Sequence, residues 1–352
     1  MAFPALVPSS PELKHHLLVL PGDVGHEQVE ALARSRFPRA NREVDPSPVP
    51  VRSGTGRAGA PPPGALRLSR RSTLLGPFTV DRATSNELSL PTFAAVVYAV
   101  AVPAERGDPP WPGGGDRYGF GRAFPGGLPV RDELRMLEWA LAAARRLGGA
   151  VRTAPSAGSP TLLVPDPAAE IDLTVWSELW LDPEPARRVM RQALPRAELD
   201  LPSAQWPGPP AGIGDRSAPG AEALTAEQRL ALHTAAAEYD RAALADPAPL
   251  ETYGVLADLG LDGMVALEIG GETEPPPVVA ALPWAAAGAV AYRVRWVPTE
   301  LEDAEAERSS LQHRVARNRA TPLVAAVARA VHLAVGGEIT DAMDFRVDPT
   351  EL

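Results

Sequence analysis

The densest run of chemistry-bearing residues is the glycine-rich stretch GGGDRYGFGRAFPGG, residues 113–127. Arg117 and Arg122 carry planar guanidinium groups of the kind that hold carboxylates and phosphates, and Tyr118 and Phe124 lie between and beyond them. Two readings compete: a loop that binds an anion or small ligand, and an ordered Gly/Pro loop that tucks Tyr118, Phe120 and Phe124 against a core. The second is preferred. Another polar set is scattered in sequence. If the segments 172–181, 263–269 and 291–297 share one sheet, Glu178 and Glu268 face Arg293 or Arg295, with Trp176 and Trp180 on the same face as Glu178. Buried charges are costly unless paired, so such a cluster marks either a site or a structural ion pair. The structural pair is favoured.

Other chemistries lack their residues. There is no cysteine, which removes disulfides, thiolate metal sites and a cysteine nucleophile. The six histidines (15, 16, 26, 233, 313 and 332) form no His-x3-His or HExxH frame, so no metal is expected; His15 and His16 adjoin a strand and read as a structural pair. No Gly-x-Ser-x-Gly elbow supports a serine hydrolase. The 113–127 loop is not a phosphate-binding Walker loop, because Gly127 stands where the lysine is needed, and Gly119 and Gly121 do not follow a buried parallel strand. No cofactor is expected.

Two stretches resemble known families. RYGFGRAF, residues 117–124, is a distorted echo of the RNA-recognition motif, whose aromatics stack bases on a ferredoxin-like sheet. Here it falls in a loop of an acidic chain, and nucleic acid is not an expected partner. LPGDVGHEQV, residues 20–29, resembles the opening of the isocitrate and isopropylmalate dehydrogenase family at Leu20, Pro21, Gly22, Asp23, Gly25, Glu27 and Val29. His26 replaces the family's proline and Val24 a glycine, and the family's arginine cluster and metal-binding aspartates are missing. The stretch therefore reads as a strand-turn-helix corner.

These candidates must be positioned by regular elements. The chain has 352 residues, 45% of them apolar, enough for a substantial core. Its net charge of −10 is uneven: residues 1–160 carry 19 basic against 14 acidic groups, and residues 161–352 carry 15 against 30. That asymmetry suits two units attracting one another. Lys14 is the only lysine, so the arginines reflect codon bias and each is discounted as a functional sign.

Periodicity predicts strands at 16–20, 76–82, 92–102 and 150–154 and helices at 25–37 and 131–149. The second half repeats the order, with strands at 172–181, 263–269, 291–297 and within 338–347. Its helices are predicted at 182–194 and from 299 onward, the latter broken or kinked by Pro322. A further helix at 225–244 and an edge strand at 251–259 are additions. Two echoes support duplication: RSRFPRAN against RQALPRAE, and RRLGGAVRT against HLAVGGEIT.

The expected fold is α+β, two tandem ferredoxin-like (βαββαβ) halves with their sheets packed face to face. The face-to-face packing is inferred from strand 92–102, which is apolar on both sides, and from Trp176 and Trp180. The expected boundaries are a loose N-terminus (1–12), a first half (13–160) with a flexible insertion at about 43–72, and a second half (165–352) with a Pro-rich loop and inserted helix at about 202–248. The functional expectation is a soluble, cytoplasmic, non-catalytic protein, monomer or homodimer, that binds a protein partner or a small molecule, without a membrane segment. The alternative is an enzyme with a site between the two sheets, using Glu178, Glu268 and arginines. A closed apolar interface favours the first reading; a concave pocket with convergent Glu, Arg and Tyr favours the second.

Overall fold

The computed structural model describes residues 3–46, 62–155, 159–200, 225–245 and 251–352. The first part of the chain runs β1 (His16–Leu20), α1 (His26–Arg36), β2 (Asn41–Val44), β3 (Ala65–Arg67), β4 (Thr73–Thr79), α2 (Arg82–Glu87), β5 (Val96–Ala101), α3 (Phe120–Ala123), α4 (Arg131–Arg146), β6 (Ala150–Arg152) and β7 (Leu162–Leu163). The second runs β8 (Leu173–Ser177), α5 (Pro183–Ala193), β9 (Glu198–Asp200), α6 (Ala226–Ala245), β10 (Thr252–Asp258), β11 (Met264–Glu272) and α7 (Pro277–Ala280). It continues with β12 (Ala289–Val297), α8 (Leu301–Ala304), α9 (Leu311–Val335), β13 (Glu338–Asp341) and β14 (Arg346–Val347). The result is a mixed helix-and-strand protein with two seven-stranded antiparallel sheets, ordered β2-β3-β4-β5-β1-β6-β7 and β9-β10-β11-β12-β8-β13-β14.

The two orders are the same element for element, and the sequence echoes fall at equivalent turns. After α1, Ala40 N–H donates to Phe37 O at 2.8 Å while Arg34 donates to Ala40 O at 3.0 Å. After α5, Ala197 N–H donates to Leu194 O at 3.0 Å and Arg191 donates to Ala197 O at 2.8 Å. The buried alanine of each Pro-Arg-Ala run closes the turn, and an arginine one helical turn back caps it. The two Gly-Gly pairs also have one cause. A Cβ on Gly149 would lie 2.5 Å from Val19 O of β1, and one on Gly337 would collide with Trp176 O of β8. In both parts the chain leaving the long helix passes so close to the first strand that only glycine fits.

The first sheet buries both faces, and the second buries one face fully and the other only at the Trp176–Ala291 end. In the first, Leu18, Leu20, Tyr98 and Val100 pack under α1 and α4 against Met136, Leu137 and Trp139. On the other face, Leu17, Val19, Val97 and Ala99 meet Leu6, Phe78, Val80 and Leu90. In the second, Val175, Leu267, Tyr292 and Val294 pack under α5 and α9, while Trp176 and Ala291 meet Val279 and Ala285. The expected face-to-face packing of the sheets is therefore corrected: local connections cover the faces. The segments 80–94 and 276–286 leave a strand and fold straight back over it, and such short closures carry little entropic cost.

The packing changes other expectations as well. The N-terminal segment is not loose where it is described: Leu6 is buried, and its N–H donates to Thr79 O at 2.8 Å. The supposed insertion contributes β2 and β3 at its ends; residues 47–61, like the Pro-rich 202–222, lie outside the described residues. The segment 252–258 is an inner strand, flanked by β9. Helix α9 continues through Pro322, which sits on its exposed side, so the carbonyl left without a donor faces water. The parts are joined by Phe345, between β13 and β14, which is buried in the first part's core, and by an Arg36–Asp344 ion pair at 2.7 Å.

Candidate functional site

Where the two parts meet, the structure encloses a cleft with two chambers of about 580 and 500 Å³. Arg117, Tyr118, Glu170 and Asp172 line both chambers. The volumes fall in the range of small-molecule sites.

Five parts of the chain supply the larger chamber. The glycine loop before α3 brings Arg117 and Tyr118; it is pinned by Asp116, whose carboxylate accepts the Gly121 N–H at 3.0 Å and whose N–H donates to Glu305 O at 2.9 Å. Gly115 allows this approach, because a Cβ there would lie 2.7 Å from Glu305 Cβ. The last turn of α4 brings Arg145, the connection between β7 and β8 brings Asp166, Glu170 and Asp172, and the first turns of α9 bring His313 and Arg317. Trp296 of β12 forms a wall, its ring 5.0 Å from that of His313.

The charges are interlocked. Glu170 pairs with Arg117 and lies 3.3 Å from Arg145 Nη1 without hydrogen-bond alignment; Arg317 donates to Asp166 at 2.6 Å. Asp172 accepts the Trp296 N–H at 2.9 Å. Burial pushes its carboxyl up to about 6, and the neighbouring Glu170 charge adds to this, against the pull of that hydrogen bond, Arg295 and Arg117. Burial and Glu170 likewise push the Tyr118 phenol up, and burial pushes His313 down against the opposing charge of Asp303.

The smaller chamber lies on the outer face of the second sheet, with Trp176, Arg293 and Arg295 in its lining. Arg293 donates to Glu272 at 2.8 Å, and Arg295 is 3.5 Å from Glu268. The loop residues and the sheet arginines, considered as separate candidates in the sequence, thus line one cleft. The remaining candidates do not join it. Arg122 stands outside the linings, although it pairs at 2.6 Å with Glu307 of the larger chamber's wall, and Glu268 lies on the sheet surface beyond them. Phe124 is buried in the first core beneath Arg106. Strand β8 ends at Ser177, so Glu178 is exposed beyond it and does not oppose Glu268; Trp180 packs edge-on against Tyr253.

A histidine network elsewhere has the parts of an acid-base relay but not its freedom. His16 Nε2 is 2.9 Å from Glu133, which also takes the Glu105 N–H at 2.7 Å and Arg106; Nδ1 accepts the Ala154 N–H at 2.9 Å. Both ring nitrogens are engaged and the ring is buried, so the network is structural, as the sequence reading had it for His16. Burial and Arg106 push His16 down to about 4. Among the described residues no group of three His, Asp or Glu is placed to hold a metal ion, and no helix is long and apolar enough to cross a membrane.

Sequence reading missed Arg145, Glu170, Asp172, His313 and Arg317. A signal existed for the last two: they interrupt the buried stripe that continues as Ala320, Val324, Val327 and Val331 on α9. Arg145 was indistinguishable from a cation at a helix C-terminus. The chain matches no family model, no curated protein and no solved structure.

Proposed function

We propose that this chain binds a small molecule in the cleft between its two parts, a concave pocket with convergent Glu, Arg and Tyr rather than a closed apolar interface. The observation that carries the reading is the convergence, in one concave chamber of about 580 Å³, of Arg117, Tyr118 and Glu170 with groups from both parts of the chain. A recess of this shape suits a small ligand better than a protein surface, and the interlocked charges fix its walls. The architecture is read as a tandem duplication of a ferredoxin-like unit, divided at about residues 13–160 and 165–352. The shared strand order and the paired turns support it, with β4, β5, β1 and β6 as the four-strand core extended by β2, β3 and β7. A duplication of this kind supplies the second wall of the cleft from the same chain.

The test is a thermal-shift screen of the full chain against small polar metabolites, repeated with Ala306→Trp, which fills the chamber from its lining. Hits that vanish in the folded variant support the reading; hits that persist undiminished refute it. The same convergence of Glu, Arg and Tyr favours a second reading, an enzyme at the same cleft. Burial there pushes the Asp172 carboxyl up to about 6, near the range useful for proton transfer. Chemical conversion of a bound hit, lost in Asp172→Asn, would replace the binding-only reading.

A further inference from the structure

We infer that the larger chamber recognises an oxyanion, a carboxylate or phosphate carried on an apolar body, through Arg145 and Arg317. The inference rests on the cleft being a ligand site and names what it binds. Both side chains are more than nine-tenths buried, at 9% and 4% exposure. Among the described residues each keeps donors without an acceptor, Nε and Nη1 of Arg145 and Nε of Arg317, all with essentially no surface open to the chamber, so a ligand oxygen meets them when the guanidinium groups turn toward it. A buried guanidinium is tolerated when its N–H groups are satisfied, and the carboxylates at hand do this incompletely. Asp166 takes one nitrogen of Arg317, and Glu170 is drawn to Arg117 and misses alignment with Arg145.

The unmet demand is for oxygen acceptors, and it comes from two arginines on different elements, α4 and α9, that line the same chamber. Arg308 and Arg314 are also in the lining, exposed, and make no ion pair among the described residues; they add positive potential for an incoming anion. The rest of the recognition is apolar. Leu141, Leu163, Ile171 and Trp296 line the same chamber and offer a surface for a hydrocarbon or aromatic body. A bare inorganic anion would leave that surface unused, and a neutral ligand would leave the arginine donors unmet.

Calorimetric titration of the full chain with phenyl phosphate, benzoate and benzyl alcohol separates the parts of the inference, since the three share a ring and differ in the head group. At least one of the two anions is expected to bind about 10-fold or more tighter than benzyl alcohol, as charge-assisted bonds predict; which one does so tells a phosphate source from a carboxylate. Arg317→Gln is expected to erase the preference while leaving benzyl alcohol binding in place. Should that variant fail to fold, Arg145→Lys keeps the charge, withdraws the fork and is expected to reduce the preference. Equal binding of all three probes, or a preference that survives in the folded variants, overturns the oxyanion inference and leaves the cleft reading standing. No heat from any probe overturns both.

Discussion

Replacing Asp172 by Asn should stabilise the protein at neutral pH and leave it unchanged in acid. The carboxyl is held up at about 6 against 3.8 in its ordinary state, chiefly because burial between the two parts penalises its charge. The folded chain therefore binds this proton more tightly than the unfolded chain. Its contribution to stability is fully present below pH 3.8 and is lost as pH rises to about 6. At about 1.4 kcal/mol per pH unit, that interval is worth about 3 kcal/mol. Asn keeps an oxygen to accept the Trp296 N–H and has no proton to lose, so the variant escapes the loss. His16 acts in the opposite sense. It is depressed to about 4 from 6.5, so its contribution is present above pH 6.5 and is lost as pH falls through about 4. The two slopes offset one another in the parent protein, and only the difference between parent and variant isolates Asp172. Urea unfolding at pH 4, 6 and 8 measures it. The expected gain in Asp172→Asn is near zero at pH 4 and about 2–3 kcal/mol at pH 8. A gain independent of pH, or none at pH 8, would refute the burial argument for this residue.

Three further outcomes follow from the packing. Glu133→Ala should cost about 3–5 kcal/mol, because it strands His16, Arg106 and the Glu105 N–H in a buried site; a loss below about 1 kcal/mol in urea unfolding would mean the network is dispensable. Phe345→Ala should cost about 3–5 kcal/mol, since the ring sits in the first part's core although it belongs to the last hairpin. A measured loss near zero would show that the hairpin is not docked there. Gly337→Ala should cost about 2–4 kcal/mol, from a positive φ of +89° combined with collision against the Trp176 carbonyl. Gly336→Ala meets no neighbour and pays only for its φ of +68°, so near-equal losses in circular-dichroism melts would rule out the collision as the cause.

What the sequence determined by itself was local. HLLVL is a strand because four successive apolar residues follow His16 and all five are buried, on both faces, and α4 is a helix because its apolar stripe recurs at helical spacing between early acids and late arginines. The repeated Pro-Arg-Ala and Gly-Gly turns were also legible, since each is made by neighbours in the chain or by one strand passing a helix end. That both faces of strand 92–102 are covered followed from its composition; what covers them did not. Leu6 and Leu90 on one sheet lie in irregular segments, and Val279 of α7 and Ala285 on the other lie in single helical turns too short to show a period. Short strands such as β2, β3 and β7 were missed for the same reason. The site depended most on tertiary structure. Arg117 and Arg293 were visible as chemistry, yet their meeting in one cleft depends on how the two parts dock. Arg145, Glu170 and Arg317 acquire their meaning from burial beside one another across about 170 residues of sequence. A guanidinium or a carboxylate looks the same in sequence whether it faces open water or is buried in the wall of a cleft. Only the fold removes the water, and with it the solvation that would have satisfied each charge separately.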